Sequence, residues 1–180
     1  YMATLKPFRD YDEKDVINLY AYEGTLPVNK GTLVKINGNG WRSTDELQML
    51  GNLGKEYTNT VSTRYGVAAR VEDAGAGDTP LGMLLYDVKE TDENGELLKF
   101  NPRKAHEMEV ALSGQAVPLV TRGIFLYSGS TMSAETPTAG QALYCGANGE
   151  MTTGVGSNVQ VGVSLGVKDT HGHILIKLNL

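Results

Sequence analysis

Val159-Gln160-Val161-Gly162-Val163-Ser164-Leu165, followed beyond the turn Asp169-Thr170-His171-Gly172 by Ile174-Leu175-Ile176-Lys177-Leu178, decides the fold class. The first run alternates apolar residues with polar or small ones. A period of two puts one set on a buried face of a pleated strand and the other toward water, whereas a helix would scatter both sets around its circumference. The second run is short, apolar and rich in β-branched residues, and the Asp/Gly cluster between the two supplies a turn.

The same grammar extends toward the N-terminus. Ala142-Leu143-Tyr144-Cys145 and Glu150-Met151-Thr152 flank Asn148-Gly149, the dipeptide that best fits a two-residue hairpin turn, because both of its central residues must take positive φ. Residues 128–140 are rich in Ser, Thr, Ala, Gly and Pro and are expected as an exposed loop. Before them come three apolar pieces, Glu109-Val110-Ala111-Leu112, Ala116-Val117-Pro118-Leu119-Val120 and Gly123-Ile124-Phe125-Leu126-Tyr127. Asn101-Pro102-Arg103-Lys104-Ala105-His106-Glu107 offers a capping Asn and a proline at the first helical position, which predicts one helical turn. Asn94-Gly95 predicts a second hairpin, between residues 81–88 and Glu96-Leu97-Leu98-Lys99-Phe100. Tyr65-Gly66-Val67-Ala68-Ala69-Arg70-Val71 and Thr32-Leu33-Val34-Lys35-Ile36 read as strands, the latter stopped by Asn37-Gly38-Asn39-Gly40. Residues 43–50 make a short helix at best.

About ten strands with tight turns and no long helix give an all-β fold, a single β-barrel or sandwich-like domain with short helical turns. The 22 glycines in 180 residues have no collagen period and serve turns and bulges between short strands. The barrel domain is expected over 25–180. Residues 1–24 differ in texture, mixing Pro7, Phe8, Tyr11, Leu19, Tyr20 and Tyr22 with many charges. They read equally as an extended N-terminal arm or as an ordinary first strand. Met2-Ala3-Thr4 looks like a natural start after a stray Tyr1, with no export signal and no spanning helix, so neither membrane insertion nor secretion is expected.

A net charge of −5 without any Lys/Arg cluster excludes nucleic acid as the main partner. The one cysteine, Cys145, rules out an internal disulfide and suits a reducing compartment. No phosphate loop, nucleophile elbow or His-Glu-x-x-His pair occurs. Gly75-Ala76-Gly77 opens like a dinucleotide fingerprint, but Pro80 and the lack of a following helix defeat it. His171-Gly172-His173, with His106 as a third imidazole, has the residue type for a metal, yet a solvated turn is the better account. Asp92-Glu93-Asn94-Gly95-Glu96 and Asp10-Tyr11-Asp12-Glu13 fall short of a calcium loop and read as acidic turns. Cys145 is expected as a small buried strand residue rather than a nucleophile. No catalytic residue, cofactor or metal is therefore assigned, and the chain is read as a non-enzyme.

Gly31-Thr32-Leu33-Val34-Lys35-Ile36, Tyr65-Gly66-Val67-Ala68, Pro80-Leu81-Gly82-Met83, Ala139-Gly140-Gln141-Ala142-Leu143-Tyr144, Val161-Gly162-Val163-Ser164 and Ile174-Leu175-Ile176-Lys177-Leu178 occur in an order that resembles the capsid decoration or cement proteins of tailed bacteriophages. Pro102-Arg103-Lys104-Ala105 and residues 115–123 also resemble segments of phage head-associated structural proteins. The resemblance spans 25–180, with 41–63 departing from it. It implies a small β-barrel made in the host cytoplasm and carried on the virion, bound to the major capsid protein on the outer surface of the head, as a homotrimer, stabilising the shell without chemistry of its own. Candidate partner contacts are Phe8, Tyr11, Tyr20 and Tyr22, since an aromatic arm supplies backbone pairing and anchors, together with Trp41, a residue favoured at interfaces. Two other readings stay open: a phage tail or neck component, and a carbohydrate-binding barrel in which Trp41 and tyrosines form a stacking face. An enzyme remains only if His106, His171, His173 or Cys145 converge in a pocket.

Overall fold

The computed structural model describes residues 4–38, 40–41 and 69–180. Among them are fourteen strands: β1 Thr4–Pro7, β2 Val16–Ile17, β3 Ala21–Tyr22, β4 Leu33–Asn37, β5 Arg70–Asp73, β6 Gly82–Leu84, β7 Asp87–Val88, β8 Val110–Ala111, β9 Leu119–Val120, β10 Arg122–Ser128, β11 Ala142–Cys145, β12 Met151–Thr152, β13 Gln160–Ser164 and β14 Ile174–Asn179. Two short helices join them, α1 Pro102–Glu107 and α2 Ser130–Ala134. The expected helix at 43–50 and most of the strand expected at 65–71 lie outside the described residues; the end of the latter appears in β5.

The fold is all-β and sandwich-like. One six-stranded sheet has the order β1-β10-β14-β13-β11-β12, and the second has the order β2-β9-β6-β4-β5-β3. In β10, β11 and β14 the first sheet follows from alternation, while β13 breaks it at a register shift opposite Leu143 and Tyr144. Phe125 and Tyr127 of β10, Leu143 and Cys145 of β11 and Ile174, Ile176 and Leu178 of β14 all point inward and are fully or almost fully buried. They meet Leu33, Met83 and Val120 of the second sheet in the main core. Each such side chain contributes about 1.5–3 kcal/mol by leaving water.

The centre of the second sheet is buried on both faces. Leu33-Val34, Gly82-Met83-Leu84 and Leu119-Val120 are continuous buried runs rather than alternating ones, as a central layer requires. Val34, Leu84 and Leu119 point away from the main core into another one that includes Tyr22, Val28, Val88, Ala111 and Val117. The parallel pair β7 and β8 supplies part of that outer layer. A small third core of Leu98, Ala105, Val110 and Leu112 lies under α1.

The hairpin predicted at Asn148-Gly149 joins β11 to β12, with Tyr144 opposite Thr152 and Cys145 opposite Met151. Asn148 (φ 56) and Gly149 (φ 68) both take positive φ, as a primed turn demands. Glycine is further required at 149 by a close approach. A Cβ there would lie 2.6 Å from the Leu33 carbonyl oxygen, and the Gly149 N–H donates to the Ala74 carbonyl at 2.7 Å. The hairpin tip of one sheet is thus docked on the other.

Three expectations need correction. Of the two readings of residues 1–24, the described part from Thr4 fits strands of the sheets, interrupted by the 3₁₀ turn Glu13–Asp15, rather than an arm. β1 pairs with β10 at the edge of the first sheet, β2 pairs with β9, and β3 runs parallel to β5 in the second. Leu5 is buried in the main core, so apolar burial and backbone pairing both hold the segment in place. The loop expected at 128–140 contains α2, whose Met132 is fully buried in the main core, and Ser128 and Pro137 are buried as well. The Asn94-Gly95 hairpin reduces to a tight turn with one bridge, Thr91 to Leu97. Asp92 takes over the role of a partner strand there by accepting hydrogen bonds from the N–H groups of Asn94 and Glu96. The chain then winds into a 3₁₀ turn, Leu98–Phe100, and α1, where Asn101 caps by accepting from Lys104 N–H.

Candidate partner-binding surface

The outward face of the first sheet is built by the residues that alternate with its core set. Because register fixes which side chains are neighbours, three rows can be followed across the strands. One runs Lys6, Leu126, Leu175 and Leu165, with Leu165 N–H donating to the Leu175 carbonyl. The next runs Ile124, Lys177, Val163 and Ala142. The third pairs Arg122 with Asn179. Ile124, Leu126, Val163 and Leu175 are half-buried, and Leu165 and Lys177 are exposed. Charged positions in these rows are Lys6, Arg122 and Lys177, all basic on a chain whose net charge is −5.

Two shallow grooves score this face and share Lys177 and Asn179. One, of about 360 Å³, lies between Arg122, Gly123 and Ile124 and the end of β14. The other, of about 310 Å³, is bounded by Gln160, Gly162 and Val163. Gly162 is needed here because a Cβ would stand 2.4 Å from the Lys177 carbonyl oxygen, so β13 can approach β14 closely only without a side chain.

Phe8 and Tyr11 stand at the rim of this face. Phe8 extends β1 by donating its N–H to the Ile124 carbonyl at 3.0 Å, and its side chain is 55% exposed. The Tyr11 ring lies 6.1 Å from that of Phe125, tilted by 34°, a contact that helps hold a partly exposed ring. Phe125 in turn covers the space left by Gly123, where a Cβ would come within 2.6 Å of its ring. Such aromatic cover over a strand glycine is a recognised stabilising device.

The other sequence candidates are dispersed. Tyr20 is half-buried against the second core, and its carbonyl accepts from Val117 N–H. Tyr22 is only 2% exposed, and its hydroxyl donates to Asp73 at 2.7 Å. Burial, and then the hydrogen bond to Asp73, pushes its phenol far above the ordinary range, so it is a structural residue and not a surface contact. Trp41 is 57% exposed and follows the exit of β4 in the second sheet, apart from the Phe8 and Tyr11 pair in fold position.

Cys145 is buried between the Gly75 and Gly146 carbonyls. Desolvation, followed by the charge of Asp78, raises its thiol to about 11, which disfavours the nucleophilic thiolate. His171 and His173 sit in the turn between β13 and β14. There the Asp169 carboxylate accepts from both of their N–H groups at 2.8 Å, and its acidity is strengthened mainly by the His173 backbone bond. His106 is on α1, so the three imidazoles are spread over two elements. Among the described residues no three of His, Cys, Asp or Glu group closely enough to hold a metal ion, and no helix is long and apolar enough to cross a membrane.

The outer face of the first sheet was not foreseen from sequence. Its signal was present: Ile124-Phe125-Leu126-Tyr127 and Ile174-Leu175-Ile176 are apolar at both parities, whereas a strand with one face in water alternates. No family model matches the chain, and no curated protein matches it.

Proposed function

We propose that this chain is a structural component of a bacteriophage virion, a decoration or cement protein that binds the outer surface of the head and stabilises it, docking on the major capsid protein through the outer face of its first sheet. The observation that supports this reading is the double apolar character of β10 and β14. One parity fills the main core, and the other presents Ile124, Leu126 and Leu175 on a broad face punctuated by Lys6, Arg122 and Lys177. A half-apolar face with charges of one sign suits burial against a large protein surface of complementary potential, with Phe8 as a rim anchor.

The test is cosedimentation of the full chain with undecorated, expanded heads, compared with the variant Leu175→Glu/Lys177→Glu. Saturable binding by the parent and a loss of at least about tenfold in the variant, equivalent to about 1.4 kcal/mol, are expected. Absence of binding by the parent overturns the head placement, and equal binding by both chains overturns the assignment of the face.

A further inference from the structure

Four Asn-Gly pairs occur in the chain, at 37–38, 39–40, 94–95 and 148–149. Such a pair is chemically labile, because a glycine without a side chain leaves its backbone nitrogen open to the preceding carboxamide. That nitrogen loses its proton and attacks the Asn Cγ. A new C–N bond forms, the bond from Cγ to the carboxamide nitrogen breaks, and that nitrogen takes up a proton and leaves as ammonia. Water then opens the resulting succinimide at either carbonyl. The product is Asp, or an isoaspartyl link in which the main chain runs through the side-chain carbon. No oxidant, reductant or enzyme is required, so the rate at each pair is set by how the fold holds the carboxamide and the nucleophile.

Asn39 lies outside the described residues, and the other three pairs are held differently. At 148–149 the nucleophile is locked. Gly149 is buried and its N–H donates to the Ala74 carbonyl at 2.7 Å, so freeing it means lifting the hairpin tip off the second sheet. At 37–38 the carboxamide is held. Asn37 Nδ2 donates to the Glu23 carboxylate at 2.8 Å, a charge-assisted bond that must break before Cγ can turn toward Gly38. At 94–95 neither restraint operates. Both residues are exposed, the space around Gly95 is open, and the Asn94 carboxamide has no hydrogen-bond partner among the described residues. The Gly95 N–H donates to the Asp92 carbonyl at 3.2 Å across this exposed turn, a bond that opens by local fluctuation without separating two sheets.

We propose that Asn94-Gly95 is a site of spontaneous deamidation, and that its isoaspartyl product loosens the turn and α1. Asp92 couples the two. Its side chain is 1% exposed and pairs with Lys104 of α1, while its Oδ1 accepts from the N–H groups of Asn94 at 2.8 Å and Glu96 at 2.9 Å. An isoaspartyl link inserts an extra backbone carbon between those two N–H groups, so one oxygen no longer meets both. Conversion to ordinary Asp keeps their spacing. The site is independent of the virion reading.

The experiment incubates the folded full chain at mildly alkaline pH, where the attacking amide is more readily deprotonated. Peptides are mapped by mass spectrometry after acidic digestion, with radical-driven fragmentation to tell Asp from isoaspartate. Conversion at Asn94 runs ahead of Asn37 and at least about tenfold faster than at Asn148, whose nucleophile is released only by a larger opening. In urea the three rates converge, because the dipeptide is the same. In the isoaspartyl fraction, separated by anion exchange, hydrogen exchange over residues 96–108 is faster than in the parent, whereas Asn94→Asp keeps the parental rates. Conversion at Asn94 no faster than at Asn37 or Asn148, a ranking that persists in urea, or an isoaspartyl fraction as protected as the parent would overturn the proposal.

Discussion

Replacing Met132 by alanine separates the two accounts of residues 128–140. Composition alone makes the segment a solvated loop, in which the substitution costs nothing. In the structure the Met132 side chain is fully buried in the main core, while Ser130, Ser133 and Ala134 of the same helix are exposed. Met132 is therefore the apolar anchor of α2. Truncating a buried Met to Ala costs about 2–5 kcal/mol, the lost transfer energy plus the cavity left behind. A mid-range value of about 3 kcal/mol, divided by a urea m-value of about 2 kcal/mol/M, moves the unfolding midpoint down by about 1.5 M. In a thermal scan the same loss is roughly 6–12 °C for a chain of this size. Ser133→Ala, one residue on and exposed, stays within about 0.5 kcal/mol and controls for effects on the helix itself. Urea titration followed by tryptophan fluorescence and far-UV circular dichroism reads both. A Met132→Ala midpoint within about 0.3 M of the parent, well inside that 1.5 M shift, refutes the buried plug and returns the segment to solvent.

Two further outcomes follow from neighbouring groups. Burial opposes ionisation of Glu150, but hydrogen bonds from the hydroxyl and N–H groups of Thr131 and Ser130 outweigh it and hold the carboxyl below its ordinary value, with Ser130 Oγ donating to it at 2.8 Å. A carboxylate depressed in the folded state contributes stability that is present above its unfolded pKa and lost as pH falls through the folded one. The urea midpoint of the parent should accordingly fall on acidification below about pH 4.5, the ordinary Glu value. Glu150→Gln should cost about 1 kcal/mol at neutral pH, the modest figure expected for a half-exposed site, and should flatten that part of the acid dependence. An unchanged acid profile in the variant would remove Glu150 as the cause. Cys145, buried and with its thiol raised to about 11, should react with a disulfide reagent at neutral pH only on unfolding, and rapid labelling of the native chain would contradict its placement.

What the sequence disclosed is the part governed by local rules. The run 159–165 contains β13, but only in part as its period predicts: the register shift opposite Leu143 and Tyr144 turns Val161 into the core, while beyond it Gly162 and Ser164 are buried and Val163 and Leu165 lie on the outer face. Asn148-Gly149 makes the hairpin turn its φ requirements predict, and Asn101-Pro102 opens α1 as a cap and first-turn pair should. What escaped depends on partners distant in sequence. The polar composition around Met132 hides a single plug whose burial is decided by the opposing sheets. Tyr22 looks like any arm tyrosine until Asp73 of β5 is found beneath its hydroxyl. At Asn94-Gly95 the turn formed but its pairing stops at the one bridge Thr91 to Leu97, and inside the turn the Asp92 carboxylate accepts from the N–H groups of Asn94 and Glu96.

The surface of the first sheet escaped for a more general reason, and the second sheet supplies the comparison. Both sheets contain strands that are apolar at both parities. In β4, β6 and β9 the second parity packs on Val28, Val88, Ala111 and Val117 within the same chain, so the composition of those strands is explained internally. In β10 and β14 the second parity is Ile124, Leu126 and Leu175, which are left half-buried among the described residues. An apolar parity in a strand costs solubility unless something covers it, and three basic side chains spaced across the face temper that cost without removing it. In the proposed function a partner surface does over the first sheet what β7 and β8 do over the second, and the basic positions Lys6, Arg122 and Lys177 set the sign of the surface that would fit.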